Sequence, residues 1–483
     1  MHPQEKSVKI MLVIPHDPPS AKFQLKTAGI TPPLGVAYLA SYLLRENFKV
    51  SILDNSIEHL DEGGFIKRLA AFGPKIVGLS TLTYAVPNAL HLARVIKKFN
   101  PGIKVIMGGP HPTALPKEIL SNVDVDIVVK GEGEETLREV CQVLSENGDL
   151  KDVRGIIYRS SGGIIENAPR ESIKDLDSMP FPAYELLLLD RYFLPASRRR
   201  SNLKIGAMIT MRGCPYACNF CSKDIFGTEV RFRSPARVVE EMELLVKKYN
   251  VGELIIWDDN FNLNQERSIE ICDRIRGKRL NIVWSCSNRA DLFSEELCRA
   301  LYASGCRQVN FGVESGAQEL RHKMNKDITD EDIDKAVTLC RKYGLLVSCS
   351  FVFGLPGETW KTAMQTLRFA KHLNPDYVMF CGLVPMPGSP LFDFAEKNGL
   401  IDKENENWER YVTLLSANPP VVSLCELSKT ELIKLQKKVF REFYFRPKYI
   451  WDTLRRTRST ENIRQIFRGL NAIVSHQCAR IKD

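Results

Sequence analysis

Three cysteines crowd one short stretch, Met211-Arg212-Gly213-Cys214-Pro215-Tyr216-Ala217-Cys218-Asn219-Phe220-Cys221, separated by three and then two residues. Thiolates this close, in a turn containing Gly and Pro after the apolar run 205–211, can wrap one side of a small inorganic core. A 4Fe–4S cube has four irons and is usually held by four thiolates. A loop that offers Cys214, Cys218 and Cys221 with no fourth ligand nearby leaves one iron open to a small molecule, and an open position marks a catalytic metal. A structural zinc ion would want a fourth Cys or His at short spacing, yet the nearest histidines are His111 and His322. The thirteen cysteines are an odd, mostly scattered set without a secretory signal, which disfavours disulfides.

The elements that must position this loop are strands alternating with helices. From Lys204 the apolar runs 204–211, 253–258, 281–287, 308–313, 345–353 and 377–384 read as strands, with helices such as 236–248, 295–304 and 330–343 between them. Six such units fall short of a full eight-unit barrel, so an open, partial barrel is expected, with its chemistry at the C-terminal strand ends. Polar residues gather there: Asp258 and Asp259, then Ser287 and Arg289, then Glu314, then the turn Gly354-Leu355-Pro356-Gly357, then Pro385. An acidic residue after a strand is also a common helix N-cap, and that reading stays open for Asp258, Asp259 and Glu314. The remaining cysteines lack cluster spacing and read as small buried hydrophobes.

The first 150 residues alternate in the same way. Strands are expected over 9–15, 49–54, 76–83, 104–110 and 126–131, with helices such as 35–46 and 87–99. This pattern implies a doubly wound, flavodoxin-like parallel sheet with right-handed crossovers. Ligands on such sheets sit at the carboxyl ends of the strands. The turns there hold Ser80, Thr81 and Thr83, then Gly108, Gly109 and His111, then Gly131, Glu132 and Gly133, with Pro33, Leu34 and Gly35 as a rigid edge. Glycines admit close backbone approach to a large ligand, and hydroxyls supply adaptable hydrogen bonds.

The expected order is therefore an α/β sheet domain over 8–148, a connector with a Gly163-centred hairpin over 149–203, a partial (β/α)6 barrel over 204–390 and a mostly helical region over 391–483. At 483 residues and 44% hydrophobic content the chain can bury several cores. No apolar run reaches the roughly 18 residues that span a bilayer, so a cytoplasmic protein is expected. A net charge of +9 does not by itself argue for nucleic acid. Ten Lys or Arg against four Asp or Glu fall in 441–483. There an amphipathic helix over 462–474 would either pack on the barrel or give peripheral contact with an anionic membrane.

The cysteine loop, with Phe220 before its last cysteine, resembles the C-x3-C-x2-C signature of radical S-adenosylmethionine (SAM) enzymes, and the sheet before it resembles the cobalamin-binding module of their cobalamin-dependent branch. The resemblance covers about residues 8 to 390. It implies that Cys214, Cys218 and Cys221 hold a 4Fe–4S cluster whose open iron is chelated by SAM. It further implies that Phe220, Asp258, Asp259, Ser287, Arg289, Glu314, Gly354, Pro356 and Pro385 surround SAM, and that the sheet turns hold cobalamin. The axial-ligand string D-x-H-x-x-G is missing, so the implied cobalamin has no protein histidine on cobalt. The expected activity is methylation of an unactivated carbon of a small or lipid-like substrate, with electrons from a flavodoxin or ferredoxin. The alternatives are an oxidative cyclase resembling the anaerobic magnesium-protoporphyrin ester cyclases, and a non-enzymatic corrinoid or iron–sulfur sensor.

Overall fold

A computed structural model describes residues 8–21, 25, 28–195, 199, 203–402, 406–413 and 420–456. The expected helix over 462–474 lies outside the described residues, as does most of the basic tail.

The N-terminal sheet comprises β1 (Lys9–Ile14), β2 (Lys49–Asp54), β3 (Ile76–Ser80), β4 (Lys104–Gly108), β5 (Ile127–Val129), β6 (Ile156–Ser160) and β7 (Gly163–Glu166), in the spatial order β2-β1-β3-β4-β5-β6-β7. The first five strands are parallel and the last two pair antiparallel. The hairpin expected in the connector thus extends the sheet, covering an edge that β5 would otherwise leave open. Ile10, Met11, Leu12 and Val13 are all buried, because helices cover both faces of a parallel sheet and the strands read as continuous apolar runs.

The second sheet contains β8 (Lys204–Met208), then, past a two-stranded ribbon of β9 (Met211–Arg212) and β10 (Arg231–Phe232), β11 (Val251–Ile256), β12 (Val283–Asn288), β13 (Cys306–Glu314), β14 (Leu346–Phe353) and β15 (Tyr377–Gly382). Its order, β15-β14-β13-β12-β11-β8, is parallel throughout. Six strands in sequence order make the expected open half-barrel. The face that carries Trp284, Val309, Phe311, Val347, Phe351 and Phe380 is buried. The opposite face brings Ser287, Asn310, Ser348 and Tyr377 into one cross-strand row.

Local signals set the crossover helices. Ser234 caps helix Pro235–Tyr249 by accepting from the Arg237 amide, with proline in its first turn and Asn250 left-handed at its end (φ +55°). Thr329 and Asp332 form a capping box on helix Asp330–Lys342.

The C-terminal region joins both sheets. Helix Lys429–Tyr444 packs on β15, where Tyr444 Oη donates to the Val378 carbonyl at 2.6 Å and Gln436 Nε2 to that of Phe380. Trp408 reaches the N-terminal domain, its indole N–H donating to Glu118 at 2.7 Å.

Candidate functional site

The cysteine loop is held at its entrance by a carboxylate. Asp258, just past β11, accepts from the Thr210 amide at 2.6 Å, the Met211 amide at 3.2 Å and the Thr210 hydroxyl. Both of its oxygens are thereby engaged. Asp258 orders the chain entering the loop, a structural role in place of the expected contact with SAM. Gly213 follows at φ +87°, where a Cβ would collide with the Glu229 carbonyl, so only glycine fits this turn without strain. Inside the loop Lys223 donates to the carbonyls of Cys214 at 2.8 Å and of Tyr216, and the Cys221 amide donates to the Cys218 carbonyl.

Cys214 acts electrostatically on both Cys218 and Cys221, and Cys218 on Cys221. Cys214 and Cys218 are half-buried and Cys221 stands at the solvent edge, whereas Cys272, Cys286, Cys298, Cys306, Cys340 and Cys349 are buried among apolar side chains. Desolvation pushes the Cys221 thiol up to about 11, against the pull of Lys223. It raises Cys218 as well, opposed by Lys326 and Arg289. Among the described residues no three His, Cys, Asp or Glu side chains enclose a single metal ion. Three soft donors on one loop without a fourth suit a wider core with an unclaimed vertex. Asn260 donates to Cys214 Sγ at 3.4 Å, a contact that sequence reasoning missed.

Around this loop stand the other candidates. Asp259 is exposed, with the Lys223 charge acting on its carboxylate. Arg289 lies over the Tyr216 ring at 3.5 Å and grips Asp291 through two nitrogens, each at 3.0 Å. The guanidinium is thus occupied, in this structure, by a neighbouring aspartate. Ser287 lies on the open face of β12, beside Asn310. Glu314 ends β13 at φ +66°, a conformation rare outside glycine, and receives Lys326 Nζ at 2.6 Å. Phe220 packs against the apolar cluster of Ala317, Leu355 and Leu383. Gly354 donates to Glu358 at 2.5 Å, Pro356 is half-buried, and Pro385 is buried. Past Pro385 the chain touches the cysteine loop, the Leu391 amide donating to the Asn219 carbonyl at 3.1 Å.

The second candidate site is a cavity of about 300 Å3 at the carboxyl ends of the N-terminal strands. Gly35, Ser80, Gly108, Gly109, Gly131, Glu132 and Gly133 line it, together with Tyr38, Arg212 and Phe226. A Cβ on Gly35 would meet nothing within 4 Å, and one on Gly109 would press on the Thr81 carbonyl at 2.9 Å. Such a bare floor fits a broad ligand such as a corrin ring.

Five expected contacts fall outside the lining: Pro33, Leu34, Thr81, Thr83 and His111. Thr81 is buried beneath Gly109. His111 has no exposed surface and lies edge-on to Trp408 at 4.7 Å. Burial pushes its imidazole down to about 3, so the ring is neutral. It serves the packing between domains. Glu132 does line the cavity, but Arg212 and Arg231 hold its carboxylate.

The sequence matches the B12 binding domain over residues 24–141 and the Radical SAM superfamily over residues 208–370. It is 36% identical, over 92% of its own length and 94% of the relative's, to the uncharacterized methyltransferase PH0819 of Pyrococcus horikoshii. It is 29% identical to the anaerobic magnesium-protoporphyrin IX monomethyl ester cyclase of Rubrivivax gelatinosus, over 88% of this chain and 75% of that one. The structure of the radical SAM methyltransferase TsrM from Kitasatospora setae superimposes with a TM-score of 0.67 at 25% identity, covering 82% of this chain and 77% of that chain. The cobalamin-dependent radical SAM enzyme OxsB shares the fold, at a TM-score of 0.73 and 18% identity over 97% of this chain and 72% of that chain. The two domain matches in one chain, with a relative that matches over nearly its whole length, show that the chain belongs to the cobalamin-dependent radical SAM enzymes, which use a 4Fe–4S cluster, SAM and cobalamin.

Proposed function

We propose that this enzyme methylates an unactivated carbon of a small-molecule substrate. The observation that carries the reading is the shared wall: the cavity fitted for cobalamin is lined by Gly109 and Gly131 from the N-terminal sheet and by Arg212 and Phe226 from the stretch bearing the cluster cysteines. Residues of both cofactor sites would then border one reaction space.

When bound, the three groups supply one-electron cleavage of SAM and a transferable methyl group. The protein's own part is positioning. Cys214, Cys218 and Cys221 would hold the cluster, with Asn260 donating to the Cys214 sulfur. Asp259 stands free to accept from the SAM ammonium, and Glu314, steadied by Lys326, to accept from the ribose hydroxyls. Gly354, in a left-handed turn that favours glycine, would border the adenine. Tyr216 and Phe220, half-buried within the loop, would shield the cluster from water. A small one-electron carrier of flavodoxin or ferredoxin type would reduce the cluster.

The cyclase relatives favour a second reading, oxidative ring closure without methyl transfer. Anaerobic turnover with methyl-labelled SAM separates the two. Methylation places label in the product and consumes two SAM per turnover, one ending as deoxyadenosine and one as S-adenosylhomocysteine. Deoxyadenosine formation with no label transferred would replace it with the cyclase reading.

A further inference from the structure

The cysteine loop and the cobalamin cavity are tied by one buried lattice of charge. β9 and β10 pair Arg212 with Arg231 across the two ends of the cysteine loop. Glu132, on the cavity wall, accepts from Arg212 at 3.0 Å and from Arg231. Glu134, also on that wall, accepts from the second Arg212 nitrogen at 2.5 Å. The four side chains are between 4% and 6% exposed.

Burying two carboxylates and two guanidiniums carries a desolvation cost that apolar packing would avoid. What the lattice provides in exchange is register. Both ends of the loop are pinned to the same carboxylate, so the loop cannot shift without moving the cavity wall. The loop is itself part of that wall through Ile225 and Phe226, and Arg212 lies over the rings of Phe226 and Tyr38 at 5.0 and 5.4 Å. Arg212 also stands two residues before Cys214, across the Gly213 turn, with the Asp258 clamp immediately upstream. Between the clamp and the first cluster ligand the backbone has little slack.

We propose that Arg212 is a positioning residue that couples the two cofactor sites, so that assembly of the cluster tightens cobalamin binding and cobalamin tightens assembly of the cluster. Ordering the loop around a cluster presents cobalamin with a preformed wall, and linkage makes the effect equal in both directions. The inference rests on the cofactor assignment and is independent of whether methyl is transferred.

Equilibrium dialysis of hydroxocobalamin against cluster-loaded and cluster-free full-length protein tests it. The wild type is expected to bind at least about fivefold more tightly when loaded, the lower end of common site-to-site couplings. Arg212→Met is expected to bring the ratio close to one, and Arg212→Lys to keep part of it. In parallel, the paramagnetic resonance signal of the reduced cluster should shift on adding cobalamin to the wild type and not to Arg212→Met, which a purely structural role would not produce. Equal wild-type affinities with and without the cluster would overturn the proposal, and so would an undiminished ratio in Arg212→Met. If that variant does not fold, Glu134→Gln takes its place: a reduced ratio supports the coupling and an unchanged one refutes it. Absence of any cobalamin binding would instead refute the cofactor assignment beneath it.

Discussion

Lys326 and Glu314 form a buried ion pair, Nζ to Oε1 at 2.6 Å, directly behind the cysteine loop, with Lys326 also 5.9 Å from the Phe220 ring centre. Each side chain is 11% exposed. The pair explains how a carboxylate at a left-handed backbone position is held in place behind the cysteine loop: strain of this kind persists only where neighbours over-determine it. Replacing Lys326 by Met leaves Glu314 buried without its partner. Unfolding by denaturant should show a loss of about 3 kcal/mol, and SAM should cease to perturb the resonance signal of the reduced cluster. Lys326→Arg should retain most of both.

Glu358 gives the enzyme a pH-dependent stability. Burial pushes its carboxyl up to about 7 from an ordinary 4.5, although the amides of Gly354 and Leu355 pull the other way. The folded state therefore holds this proton more tightly than the unfolded chain does. The stabilisation is fully present below about pH 4.5 and is lost as pH rises towards 7, by an amount on the order of 3 kcal/mol. Melting temperatures measured across that range should show this fall superimposed on the titration of other groups. Glu358→Gln should remove it and be the more stable protein at pH 8.

Asp258 and Asp259 are adjacent yet should fail differently. Asp258→Ala releases the amides of Thr210 and Met211, so reconstituted protein should contain far less iron and lose about 2 kcal/mol or more of stability. Asp259→Asn should load iron normally and bind SAM about tenfold more weakly, the equivalent of one charge-assisted hydrogen bond. Iron analysis beside SAM titration distinguishes them.

Gly35 offers a test of the cavity. It sits in the first turn of helix Leu34–Arg45 with open space where a side chain would go. Gly35→Phe should leave the cofactor-free melting temperature within a few degrees of the wild type, since the helix loses a glycine and meets no clash. It should abolish corrinoid retention, read as the visible absorption of protein after gel filtration. Full retention would place cobalamin elsewhere.

What could be read in the sequence was local. Cys214, Cys218 and Cys221 declare themselves by spacing, and Gly35, Gly108, Gly109, Gly131 and Gly133 by clustering after strands, because both patterns arise within a few residues. Strand and helix identities followed for the same reason, with ends off by one to a few residues. Asp258 was misassigned because a carboxylate after a strand looks the same whether it clamps backbone amides or awaits a ligand. His111 reads as a cavity contact because nothing near it in sequence reveals that Trp408, almost three hundred residues later, covers it. Arg212 and Lys326 carried no signal, since their partners Glu132 and Glu314 are set by tertiary contact alone. The antiparallel edge formed by β6 and β7 was likewise legible as a hairpin but not as part of the sheet.

Three thiolates would leave one iron of a 4Fe–4S cluster for SAM. This is tested most directly by electron–nuclear double resonance of the reduced, anaerobically reconstituted enzyme with SAM isotopically labelled at its amino nitrogen. A strong coupling between that nitrogen and the cluster is expected, disappearing in Cys218→Ala. A cluster whose spectrum is unchanged by SAM, or one that survives intact in Cys218→Ala, would contradict it.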